Sequence, residues 1–232
     1  SDWSSDVCSS DLLPITSVQN PITTTSSIIG IKYDKGILLA SDRSISYGSC
    51  FKFSNVSHFH QLSPKIIIGC SGEYADFQEL ADALDSVVNE FKCKHFGEEL
   101  APKEVANYIK RLMYQRRSKM KPFVLRCILA GVSNDGKLFL CATDMYGTQW
   151  EDDYVTSGYA AYINGLQLME SVNGPREVAE KALREVIVGL AARHSTMTGK
   201  IEFVDVTKDG ILFDETEIEP NWEIIDYVPY DE

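Results

Sequence analysis

Apolar side chains recur along this chain at a period that changes from strand-like to helix-like and back, twice, and few architectures accept that order. Residues 28–42, IIGIKYDKGILLASD, read as two strands rich in β-branched residues, broken at Asp34-Lys35-Gly36 as in a hairpin. Residues 58–62 and 65–70 predict two more strands, with Pro64 in the turn between them. From about Glu73 to Cys93 the period lengthens. Tyr74, Phe77, Leu80, Leu84, Val87 and Phe91 fall at three- and four-residue steps and form one apolar stripe of a helix. A second helix is expected from Pro102 to about Met120, ended by Lys121-Pro122. Strands at 124–132 and 137–143 follow, turned by Asn134-Asp135-Gly136. Helices at 159–171 and 175–192 are parted by Asn173-Gly174-Pro175, and strands at 201–206 and 211–213 close the pattern through Lys208-Asp209-Gly210. Sheets inside and helices outside make this an α+β sandwich.

No Pro/Gly/Ser-rich linker divides the chain after residue 20, so residues 17–219 are read as one domain of the 232-residue sequence. Residues 1–16 are set apart. Ser4-Ser5-Asp6 is echoed by Ser9-Ser10-Asp11, with no basic start and no apolar run, so a signal peptide is excluded. That segment is expected to be a disordered or non-native leader or propeptide.

A net charge of −12 argues against a nucleic-acid surface and against an anionic membrane. The six cysteines show no C-x-x-C spacing, and no His stands at finger distance, so no metal site is expected. Cys70 and Cys127 lie in apolar runs and read as buried, reduced thiols, which fits the cytoplasm or nucleus. Nothing in the sequence calls for a cofactor.

The threonine-rich start feeding GILLASD, followed by GCSGEYADFQEL, resembles the proteasome beta-type family of N-terminal-nucleophile hydrolases. The likeness runs from about Ser17 onward. QNPITTTSSIIGIKYDKG, Tyr47-Gly48-Ser49, MYQRRSKMKP at 113–122 and Asn221-Trp222 are similar to the branch at the seventh beta-ring position, which is non-catalytic. The resemblance implies a four-layer αββα sandwich. It also implies assembly with other alpha and beta subunits into a 28-subunit, four-ring core particle for ATP- and ubiquitin-dependent protein degradation.

Active members of the family use an N-terminal Thr whose own α-amine acts as base, beside a Lys held by an Asp. Gly36 and Asp42 match the family hairpin, and counting from them puts Ser26 at the nucleophile position. Thr25 stands before it, where the family has Gly, and residues 21–29 contain no Gly, so self-cleavage there is not expected. His58 falls at the Lys position, and a neutral imidazole supplies no fixed positive charge. Ser157 matches the supporting serine, and the later Asp position falls at about His194. The four positions Ser26, Asp42, His58 and Ser157 are thus read as vestigial. Taken without the family, Asp42 reads as a turn residue, and His58 with His60 as solvated or interface side chains alternating on a strand.

Two features point to partners. Arg116, Arg117, Lys119 and Lys121 cluster in an acidic chain, either as a solvated helix end or as a subunit contact. Residues 220–232 bring Trp222, Tyr227 and Tyr230 into a short apolar tail suited to a buried interface. The resemblance implies that this tail reaches a subunit of the opposite beta ring. The favoured reading is a structural subunit and not an enzyme. A hydrolase using Ser26 is the alternative, and a stand-alone binding module is a third.

Overall fold

The computed structural model describes residues 23–25, 27–162, 171–194, 196–197 and 199–218. It is an α+β fold of two antiparallel sheets and three α-helices among those residues. In chain order the strands are β1 (Thr23–Thr25), β2 (Ser27–Tyr33), β3 (Gly36–Asp42), β4 (Ile45–Tyr47), β5 (Cys50–Phe53), β6 (Phe59–Ser63), β7 (Ile66–Glu73), β8 (Leu125–Val132) and β9 (Leu138–Thr143). They continue as β10 (Gln149–Glu151), β11 (Tyr154–Gly158), β12 (Lys200–Thr207) and β13 (Gly210–Glu217). The helices are α1 (Tyr74–Lys94), α2 (Pro102–Ser118) and α3 (Arg176–Ala191). One sheet runs β10-β9-β8-β7-β1-β4-β5 with β6 also on β7, and the other runs β11-β2-β3-β12-β13.

Strands β2 and β3 are largely apolar and almost wholly buried because both of their faces are covered. Alternate side chains then serve different cores. Ile29, Ile31, Leu38 and Ala40 pack with Leu183, Val186 and Leu190 of α3. Ile28, Ile37 and Leu39 pack instead with Ile67, Ile128 and Leu140 of the other sheet. The same division holds across β7 and β8: Ile68, Cys70, Cys127 and Leu129 lie with Phe77, Leu84, Ile109 and Met113 of α1 and α2. A polar tie crosses one core, where the Tyr33 hydroxyl donates to Asp205 at 2.7 Å and Arg176 Nε donates to the same carboxylate at 2.7 Å.

Several elements differ from the sequence reading. Helix α2 stops at Ser118 rather than Met120, because Lys119 caps it and Met120 turns to φ 55°. Of the helix expected at 159–171, Tyr159–Tyr162 form a single 3-10 turn and residues 163–170 lie outside the described set. Strand β13 extends to Glu217, well past the expected Phe213. It pairs with β12 through Lys200↔Glu217, and its outward acidic end looks like loop composition in sequence. Strands β1, β4, β5, β10 and β11 were not anticipated.

Candidate functional site

The two sheets are joined at residue 26. Thr25 ends β1 in one sheet and Ser27 begins β2 in the other, and both are buried. Ser26 itself lies outside the described residues. The polar groups around this crossover come from both sheets and from the segments that hold His58 and His194.

Asp42 closes β3 and is fully buried. Its Oδ2 accepts from the Ser44 amide at 3.3 Å and from the Ser44 hydroxyl. Asp42 is thus a buried residue at the end of a strand, where sequence alone would equally allow a turn residue closing a hairpin. His58 enters the interior just ahead of β6. Its Nδ1 lies 2.9 Å from Ser41 Oγ and 3.9 Å from Asp42 Oδ1. Burial lowers the imidazole pKa and outweighs the nearby Asp42 carboxylate, so the ring is neutral near pH 7. The expectation that His58 is solvated or at an interface is therefore corrected: it is 0 % exposed. Only its strand partner behaves as a surface group, with His60 Nε2 2.9 Å from Asp85. An alternating pair reads as one exposed face, but His58 stands in the bend ahead of β6 and not on the strand that carries His60, so the two need not share a face.

Ser157 lies on β11 opposite Ile28. Its hydroxyl contacts Ser71 Oγ on β7 and donates to the Arg126 carbonyl at 3.4 Å. In sequence, Ser71-Gly72 is too short a motif to assign as an oxyanion hole, and Ser41 goes unremarked as a small residue in an apolar run. Ser41 also donates to the Ser27 carbonyl at 2.9 Å, so the hydroxyl that contacts His58 also braces the first residue of β2. His194 lies against the Tyr159 ring with centroids 4.1 Å apart, and Thr196 Oγ1 is 2.9 Å from its Nδ1. Burial lowers the His194 pKa as well, against the opposing charge of Asp42.

Strand β1 fills the gap between β4 and β7. Thr25 pairs with Ile45 on one side and Gly72 on the other, and Thr24 pairs with Ser46 and Glu73. The Gly72 amide donates to Thr25 Oγ1 at 3.0 Å, and that hydroxyl donates to the Cys70 carbonyl at 3.2 Å. Gly72 holds φ 122°, and a Cβ there would stand 2.1 Å from the Val124 carbonyl oxygen, so only glycine fits. A cavity of about 320 Å³ borders this strand, lined by Thr24, Thr25, Ser71, Arg126 and Tyr159. A second, of about 330 Å³, is lined by Thr24, Ser46, Tyr159, His194 and Thr196.

The arrangement thus gathers Asp42, His58, Ser157 and His194 around the crossover; Arg43 acts on His58 through its charge, and among the described residues no Lys or Arg hydrogen-bonds to the ring. Among the described residues, no group of three or more His, Cys, Asp or Glu side chains could hold a metal ion. Among the same residues, no helix is long and apolar enough to cross a membrane.

The basic cluster is divided. The Arg116 guanidinium lies 3.9 Å from the Phe123 ring centroid and reaches Glu79 at 3.4 Å, bracing the end of α2 against α1. Arg117 lies over Tyr114, 5.6 Å from the ring centroid, and is exposed, as is Lys119. Trp222, Tyr227 and Tyr230 lie outside the described residues.

Residues 22–204 match the family model described as proteasome subunit. The chain is 31% identical to "Proteasome subunit beta type-4" of Xenopus laevis over 216 residues, 91% of this chain and 89% of that protein. It is 33% identical to the protein of the same name in Dictyostelium discoideum over 197 residues, 83% of this chain and 75% of the other. Identity to "Proteasome subunit beta type-7" of Saccharomyces cerevisiae is 28% over 186 residues, 78% and 70% of the two chains. With a family model that spans most of the sequence and beta-type relatives aligned through both sheets, the chain belongs to the proteasome subunit family, among its beta subunits.

Proposed function

We propose that this chain is a non-catalytic, structural subunit of the beta ring of the 20S proteasome core. In this reading it supports ring assembly and helps enclose the chamber in which other subunits degrade protein. The observation that carries the reading is His58. Where an active family member needs a permanent cation next to Asp42, this chain has a buried imidazole that its surroundings keep neutral. The paired strand β1 supports the same reading. Because Thr24 and Thr25 bond to both neighbours, an extended peptide could not add to β4 or β7 there without displacing the chain's own segment. A hydrolase based on Ser26 would need that segment removed, a free α-amine and a cation in the place of His58.

Three apolar clusters, one between the sheets and one beneath each set of helices, are what a four-layer αββα sandwich requires. The partners in this reading are the other alpha and beta subunits of a 28-subunit, four-ring particle in the cytoplasm and nucleus. Arg117, Lys119 and the tail residues Trp222, Tyr227 and Tyr230 supply contacts to neighbouring subunits. Arg116 then acts chiefly by holding the end of α2 in place for them.

The test is mass spectrometry of the chain from intact particles treated with an epoxyketone probe. The expected chain retains residues before Ser26 and carries no probe. A chain that starts at Ser26 and bears the adduct would overturn the proposal.

A further inference from the structure

Cys70 and Cys127 face each other across β7 and β8, and their Sγ atoms are 3.0 Å apart. Their backbone relation is well suited to a covalent link. The Cys70 amide donates to the His58 carbonyl, and its own carbonyl accepts from Thr25, so both groups point away from β8. Cys70 and Cys127 are therefore a non-hydrogen-bonded pair, the kind whose Cα atoms stand about 4.5 Å apart and whose side chains approach most closely. That separation lies within the roughly 4.4–6.8 Å range of natural disulfides, and the sulfurs need to close by only about 1 Å to reach bonding distance. We infer that Cys70 and Cys127 form an oxidisable dithiol, which a peroxide closes to a cross-strand disulfide.

The step balances without a metal. One thiolate attacks a peroxide oxygen and becomes a sulfenic acid, releasing water. The facing thiol then attacks that sulfur, the S–S bond forms, and a second water leaves. Two thiols are oxidised by two electrons in all, and one hydrogen peroxide is reduced to two waters. Both cysteines are buried beneath α1 and α2, and burial keeps the Cys70 thiol protonated. Closure is therefore slow in the intact fold and proceeds when the β7–β8 ladder opens. The same burial shields the finished bond from reducing thiolates. The link fastens the strand that carries Ser71 and Gly72 and that holds β1 in place. Cys141 is also buried in this core, but it pairs with Leu129, two residues along β8 from Cys127, so it is left out of the bond.

The experiment uses the full chain. Thiols that react in the folded state, Cys50 and Cys93 among them, are first blocked with N-ethylmaleimide. Hydrogen peroxide is added and then removed with catalase, the chain is unfolded without reductant, and an isotope-labelled maleimide marks the remaining thiols. The expected product is a peptide pair joined through Cys70 and Cys127, lighter by two hydrogens, with the second label on Cys141. Dithiothreitol should return both labels. The linked chain should also unfold at higher urea than the reduced chain. Label on both Cys70 and Cys127, separate sulfinic acids at each, or a bond that includes Cys141 would overturn the inference. Cys141→Ala should still form the link, and Cys127→Ala should not. If either variant fails to fold, the labelling of the natural chain alone decides.

Discussion

His58 places an imidazole, with no exposed surface, 3.9 Å from the Asp42 carboxylate, and burial nevertheless wins. The consequence for stability has a definite sign. The folded pKa is lowered, so the unfolded chain binds the extra proton between its own value near ~6.5 and the folded value. The contribution is full above about pH 6.5 and is lost as the pH falls toward the folded pKa. His194 adds in the same direction. Urea midpoints should therefore drop on acidification below about pH 6.5, and His58→Asn should flatten that dependence. An equally steep profile in the variant would refute the assignment. Gly72 is the second residue on which much depends, because any Cβ meets the Val124 carbonyl at 2.1 Å and φ is 122°. Gly72→Ala should cost about 3 kcal/mol, read from chemical unfolding, and loosen β1 as well. Of these two, sequence pointed to His58 through its position in the family pattern. Its burial was not legible, because a strand's inward and outward faces follow from register and bends that one sequence does not display.

Among the elements, long apolar runs were the legible part. Strands β2, β3, β7 and β8 and helices α1 to α3 carry enough side chains to display a period. Strands β1, β4 and β10 have three residues each, too few for alternation to be seen, and they exist because longer neighbours supply the pairing. β1 matters most of these for function, since Thr23-Thr24-Thr25 looks like a flexible lead-in and is instead a strand whose Thr24 and Thr25 pair on both edges. Its hold on β7 rests partly on one buried hydroxyl. Thr25→Val keeps the shape, removes an acceptor for the Gly72 amide and a donor to Cys70, and should cost about 1–2 kcal/mol. Hydrogen exchange at Gly72 should quicken in that variant while exchange in β12 stays unchanged. Equal protection at Gly72 would mean that the hydroxyl does not anchor the strand.

At the scale of the whole molecule, the order of strands and helices was readable, and with it the α+β class, because each element's apolar face must meet another layer. The site was only partly readable. Asp42 and Ser157 could be located by spacing from a hairpin. Ser41 and Tyr159 stand beside those residues but carry no signal of their own in sequence, and Ser71-Gly72 was too short to assign; their contacts at the crossover show only in the fold. What the molecule then offers is a buried polar junction in a fold whose relatives are proteasome beta subunits. The account makes Ser26 dispensable for hydrolysis while the chain itself is required for the particle. The most direct measurement is to assemble proteasomes with Ser26→Ala in place of the natural chain and to assay each peptidase activity of the purified particle. The account predicts normal particle yield and every peptidase activity unchanged. Loss of one activity in fully assembled particles would contradict it.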